Sequence, residues 1–193
     1  MKLDKIIIFI LSLGLAFSSV TKANENHDIY LSTKIGAGFT DSTCGRESYH
    51  CDDLSFIGAF DIGYQLSNNW RLHSSASYLG AYSAKYANNV EVSSDLMMFS
   101  GEVKYVLPVS TQARIAFGLG VGYVSAEKEV RDNKGYRVEN EDKTLNPMLS
   151  IGYEFDVSQK VSTITEYQFV NYESDSLGSA NINQIFFGII YWI

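Results

Sequence analysis

Beyond residue 23 the sequence has no apolar run of transmembrane-helix length, so any membrane crossing by the remainder must use strands. Basic residues are scarce as well. Residues 1–23 hold three of the 15 basic and one of the 22 acidic residues, which leaves 12 against 21 and a net charge of −9. Nucleic-acid binding needs clustered Lys and Arg to neutralise phosphates, so that class of partner is excluded. Cysteine is limited to Cys44 and Cys51, close together in a polar stretch. In an exported protein this spacing reads as a disulfide closing one short loop, worth roughly 2–3 kcal/mol on the chain-entropy model. The alternative is a metal site with His50, but two thiols and one imidazole fall short of four ligands. No cofactor motif is expected. Gly118-Leu119-Gly120-Val121-Gly122 lacks the glycine spacing and the following helix of a nucleotide loop, and strand alternation explains it.

The first stretch is set aside before any fold is considered. Lys2 and Lys5 precede an apolar run from Ile6 to Val20, and Thr21-Lys22-Ala23 offers small residues around a cut after Ala23. That is the pattern of a secretory signal peptide. A single anchor helix is the alternative, and it needs a longer run. The expected organisation is a signal peptide at 1–23 and one domain at 24–193.

What that domain contains is alternation. Ile29, Leu31, Thr33, Ile35, Ala37 and Phe39 share one face, opposite Tyr30, Ser32, Lys34, Gly36 and Gly38. The same period of two recurs from about Leu54 to Leu66, Trp70 to Ser83, Asp95 to Leu107, Gln112 to Ser125, Thr144 to Val157, Lys160 to Tyr172 and Asn183 to Ile193. Short turns follow the second, fourth and sixth segments, at Ser67–Asn69, Pro108–Thr111 and Ser158–Gln159. Long polar connections follow the others, at Thr40–Asp53, Ala84–Ser94, Ala126–Lys143 and Glu173–Asn181. The third of these is dense in charge (Glu127, Arg131, Lys134, Arg137 and Glu139, with Tyr136) and contains Asn133-Lys134-Gly135. It reads as a protruding hairpin extension of its flanking strands.

Eight strands with this loop asymmetry predict an all-β fold, an eight-stranded antiparallel up-and-down transmembrane β-barrel. The last segment is apolar and would leave an open edge unless it pairs with the first strand. Ile185, Phe187, Ile189, Tyr191 and Ile193 are expected to close the wall facing lipid. Phe186, Ile190 and Trp192 make the inner face of that strand apolar too. A soluble barrel would keep its apolar face inside. Here the other face carries Lys34, Asp61, Arg71, His73, Glu102, Lys104, Arg114, Glu154, Asp156 and Glu166, with glycines that make room for them. Aromatics at the strand ends form two rows, Tyr64, Trp70, Tyr105, Phe155 and Tyr191 at one end and Phe39, Phe56, Tyr82, Phe99, Tyr123 and Phe169 at the other.

These strands, loops and the closing segment resemble the OmpA-like small outer-membrane barrels, the OmpX/Ail type included. Members commonly end in Phe, whereas this sequence ends in Ile193. The resemblance implies a bacterial outer-membrane location and a monomer. It also implies contact with lipid, lipopolysaccharide and the assembly machinery, and roles in adhesion, serum resistance or envelope integrity through host-surface or matrix partners. The inward charges are expected to form a closed network filling the barrel, the alternative being a narrow ion or small-solute channel. An enzyme is not expected. The alternative there is a lipid A-modifying barrel, because His73 and Ser75 have a His-x-Ser spacing with Asp61 on the same inward side. That face points away from lipid.

Overall fold

The computed structural model describes residues 29–40, 48–86, 90–131, 137–174 and 178–193. The signal-peptide reading of residues 1–23 lies outside them. Among the described residues there are nine strands: β1 (Ile29–Thr40), β2 (Ser48–Asp52), β3 (Leu54–Gln65), β4 (Trp70–Tyr86), β5 (Val90–Pro108), β6 (Ala113–Arg131), β7 (Arg137–Asp156), β8 (Val161–Ser174) and β9 (Gly178–Trp192). They follow the order β2-β4-β3-β1-β9-β8-β7-β6-β5, and β5 pairs back onto β4, which closes the sheet into a barrel. Every ladder is antiparallel. The wall has eight strands because β2 and β3, separated by Asp53 alone, stack end to end along β4. The seam is β1 against β9, in register from Tyr30↔Trp192 to Thr40↔Ile182.

The three short turns close at one end through Leu66 N–H to Trp70 O (2.8 Å), Val109 N–H to Ala113 O (2.9 Å) and Val157 N–H to Val161 O (2.9 Å). At the other end the strands run further than alternation suggests. The stretch 40–53, expected as loop, supplies β2; most of 84–94 belongs to β4 and β5. The β6–β7 ladder continues to Arg131↔Arg137, as the hairpin reading of that charged segment requires. The result is a tall sheet of β2, β4, β5, β6 and β7 standing above the rest of the rim. On its flank β7 pairs with β8 only from Met148↔Val170 downward. Pro147 sits at that divergence, and its missing N–H suits a position where the second ladder ends.

Burial settles which side is lipid-facing. Phe56 is 67% and Leu119 65% exposed on the outer surface, while Lys34 and Asp61 inside are 2% and 0% exposed. That inversion fits hydrocarbon outside and a polar interior. The outer aromatic rows follow; in the one at the short turns, Trp70 and Tyr105 are cross-strand partners with ring centroids 4.9 Å apart.

One member of the rows is misplaced by the sequence. Tyr82 points inward, with 1% exposure and its hydroxyl donating to Leu79 O at 2.9 Å. The cause is a bulge between Tyr78 and Gly80, where Gly80 adopts φ +107°. One extra residue in β4 exchanges the faces of everything beyond it.

Candidate functional site

The interior is built in three layers, starting from the short-turn end. In the first, Arg71 Nη1 donates to both oxygens of Glu154, at 2.7 and 2.9 Å, and Arg114 Nε reaches Glu154 at 3.1 Å. Arg114 also pairs with Asp156, which accepts from Ser162 Oγ at 2.6 Å. Trp192 lies among these groups: Nε1 donates to Ser162 Oγ at 3.2 Å, the Arg71 guanidinium carbon is 4.8 Å from its ring, and the Tyr30 ring packs at 4.9 Å. The inner apolar residues of the closing strand thus serve as the floor of the barrel, with an arginine over an aromatic face.

The second layer centres on Glu166. Lys34 Nζ donates to it at 2.8 Å, Lys104 Nζ at 2.5 Å and Gln168 Nε2 at 2.7 Å. Lys34 also pairs with Asp61 at 3.1 Å, and Glu102 accepts from Ser150 Oγ at 2.5 Å. These side chains tie β1, β3, β5, β7 and β8 together across the lumen. Two inward glycines show why they fit: a Cβ on Gly63 would run into the Tyr30 ring, and one on Gly118 would run into Glu102 and Ser150. All ten sequence-predicted inward residues face this lumen; Lys34, Asp61, Arg71, Glu102, Lys104, Arg114, Glu154, Asp156 and Glu166 join the ion-pair network, and His73 stands beside it. His73 takes part through Tyr30, whose hydroxyl lies 3.0 Å from Nδ1, while Nε2 is 3.7 Å from Asp61.

The third layer was not anticipated. Leu79, Tyr82, Leu96, Met98, Val124, Met148, Val170 and Ile182 pack into an apolar cluster that caps the polar network on the tall-sheet side. The signal was present in the residues, since Met98, Val124, Met148, Val170 and Ile182 fall on the inward phase. Apolar residues on both faces give no alternation to read.

The tall sheet is the other candidate. Glu127 and Arg131 lie on β6, with Arg131 paired to Glu129, and Lys143 joins Glu141 at 2.5 Å on β7. Arg137 and Glu139 belong to the β7 backbone; their side chains, together with Lys134 and Tyr136, lie outside the described residues. The Cys44–Cys51 pairing and its metal alternative with His50 rest on side chains that also lie outside them. At the divergence of β7 and β8, Asn146 replaces the lost ladder: Oδ1 accepts from Glu173 N–H at 3.0 Å and Nδ2 donates to Thr144 Oγ1 at 2.8 Å.

A closed antiparallel barrel with a charged, filled lumen and an apolar exterior girdled by aromatics defines an integral outer-membrane barrel. Residues 8–191 match the outer membrane protein β-barrel domain family, and the chain belongs to that family. No curated protein matches it in sequence. Its fold is similar to Neisserial surface protein A (TM-score 0.64, 13% identity, 86% of this chain and 97% of that one). It is also similar to Ail, the attachment invasion locus protein of Yersinia pestis (0.58, 12%, 87% and 99%), and to OprG from Pseudomonas aeruginosa (0.63, 10%, 89% and 99%). These likenesses show the shared barrel fold, and the family match places the chain among outer-membrane proteins.

Proposed function

We propose that this protein is a non-enzymatic barrel that supports the envelope and presents the tall sheet as a surface for a partner outside the cell. The observation that carries the reading is the free flank of β7. Among the described residues, β7 from Arg137 to Pro147 forms a ladder with β6 alone, which leaves a strand edge above the rim. Rigid strands hold that edge in place, whereas a mobile loop would have to be ordered on binding. Ail, similar in fold at 14% identity, has a structure in complex with a heparin analogue, and its name records attachment and invasion. Adhesion to a host-cell or matrix protein is the corresponding role here, with lipopolysaccharide around the wall and the monomer as the working unit.

The interior supports this division of labour. Ion pairs, aromatic floor and apolar cap leave the lumen occupied by side chains, which favours a structural interior over a channel. Catalysis by His73 is disfavoured because Nδ1 is engaged by Tyr30 and not by Ser75, and because His73 faces the lumen. The deciding experiment trims residues 128–140 to a tight turn and measures adhesion of expressing cells to host cells and matrix. Adhesion is expected to fall to the level of cells lacking the protein; undiminished adhesion by the trimmed barrel would remove the sheet as the adhesive element.

A further inference from the structure

The charges of the polar lumen do not balance, and the surplus falls on one residue. The floor is even, with Arg71 and Arg114 against Glu154 and Asp156. The second layer sets Lys34 and Lys104 against three acids, Asp61, Glu102 and Glu166, with His73 counted as the neutral partner of the Tyr30 hydroxyl. Lys34 lies 3.1 Å from Asp61 and 2.8 Å from Glu166, and Lys104 lies 2.5 Å from Glu166. Glu102 is the acid left over. Among the described residues its one ion pair is with Lys104 Nζ at 4.0 Å, and its side chain is fully enclosed. Ser150 Oγ donates to Oε2 at 2.5 Å, while Gln168 Nε2 reaches Oε1 at no less than 3.5 Å. A buried carboxylate with so little compensation is costly.

Unpartnered polar groups lie around that oxygen. Ser100 is two residues from Glu102 on β5, so both side chains point inward. Gln184 is the cross-strand partner of Gln168. Ser100 Oγ and both amide atoms of Gln184 have no hydrogen-bond partner among the described residues. The two residues are 6% and 0% exposed. Next toward the rim on the same inward phase stand Met98, Val170 and Ile182, members of the apolar cap. The cap therefore separates these groups from the solution above it.

We propose that the lumen binds one monovalent metal cation between Glu102 and the side-chain oxygens of Ser100 and Gln184. Hard cations take oxygen ligands, and these three are a carboxylate, a hydroxyl and an amide carbonyl. One added positive charge equalises the second layer. A divalent ion would overshoot and leave an unpaired positive charge, so the charge count selects the monovalent class. The ion joins β5 to β9, two strands that share no ladder, and does so whatever the tall sheet holds outside.

The test follows urea unfolding of the full-length barrel in lipid vesicles at fixed total salt, with sodium chloride replacing choline chloride. One bound ion is expected to raise the folded-to-unfolded ratio about three- to tenfold between about 10 and 100 mM sodium. Glu102→Gln removes the surplus charge, so its stability is expected not to respond to sodium. Gln184→Leu keeps the charge and removes one oxygen, so it needs several-fold more sodium for the same response. It also serves as the deciding variant where Glu102→Gln does not fold. A parent ratio independent of sodium overturns the proposal; if that ratio instead falls about tenfold per pH unit above neutrality, the balancing charge is a proton. An undiminished sodium response in either variant places the ion elsewhere on the barrel and overturns the proposal as well.

Discussion

Arg71 and Glu154 join β4 to β7, two strands that share no ladder, through one guanidinium nitrogen placed 2.7 and 2.9 Å from the two carboxylate oxygens. Both side chains are all but inaccessible, at 3% and 2%. Arg114 approaches the same carboxylate, so Glu154 holds two cations at once.

Removing that carboxylate leaves guanidinium charge buried with too few partners. Glu154→Ala is expected to lower unfolding stability by about 3–5 kcal/mol, whereas the double variant Arg71→Met with Glu154→Leu loses less than the sum of its singles. Urea titration in lipid vesicles, followed by tryptophan fluorescence, measures both. Strict additivity would mean that the pair is not coupled.

Conductance tests the filled lumen. The barrel in a planar bilayer is expected to carry no steady current, and Glu102→Ala or Arg114→Ala does not open it because the apolar cap remains in place. Steady currents in the parent protein that vanish in either variant would establish a conducting path through the polar layer.

The bulge at Gly80 makes a local prediction. Gly80→Ala forces a side chain into φ +107° and against Ser55, whose Oγ accepts from Ala81 N–H at 2.9 Å. A loss on the order of 1–3 kcal/mol in urea stability is expected. Near-ultraviolet circular dichroism should change as well, since Tyr82 is held inward by the same bulge. An unchanged spectrum and midpoint would show that the phase of β4 does not depend on glycine there.

Asn146 anchors the point where β7 and β8 part. Asn146→Ala removes the acceptor of Glu173 N–H and the donor to Thr144, so hydrogen exchange at Glu173 is expected to accelerate. The effect on global stability is smaller, about 1 kcal/mol. Equal exchange rates in the two proteins would locate the anchor elsewhere.

Much of this architecture was legible in residue order. Strict alternation such as Ile115-Ala116-Phe117-Gly118-Leu119-Gly120 carries its own phase, and the wall follows it. The closing strand was harder, because Phe186 and Ile190 are apolar on the face opposite Ile185 and Phe187. It took the outer aromatic row and its pairing to β1 to orient it. Two features were beyond the pattern. A bulge is a single backbone conformation, and Gly80 between Leu79 and Ala81 gives no hint that Tyr82 will turn inward. The upper reach of the strands was lost for a related reason. Residues 84–86 and 90–94 are polar enough to read as loop, and they become strand because each supplies the other's hydrogen bonds. The interior network was recognisable as a set of inward charges. Which acid meets which base depends on strands distant in sequence, and alternation carries no such information.

The seam between β1 and β9 bears on how the chain acquires its shape. Tyr30 and Trp192 are paired, so the first described strand waits for the last before its outer edge is covered. Contacts between such distant segments form slowly, because a long stretch of chain must be brought together before they repay its lost freedom. Until then both edges can recruit strands from other molecules. The floor of Arg71, Tyr30 and Trp192 assembles only at that final step. It therefore acts as a latch in time as well as in space: once set, it holds the seam shut and marks the barrel as complete.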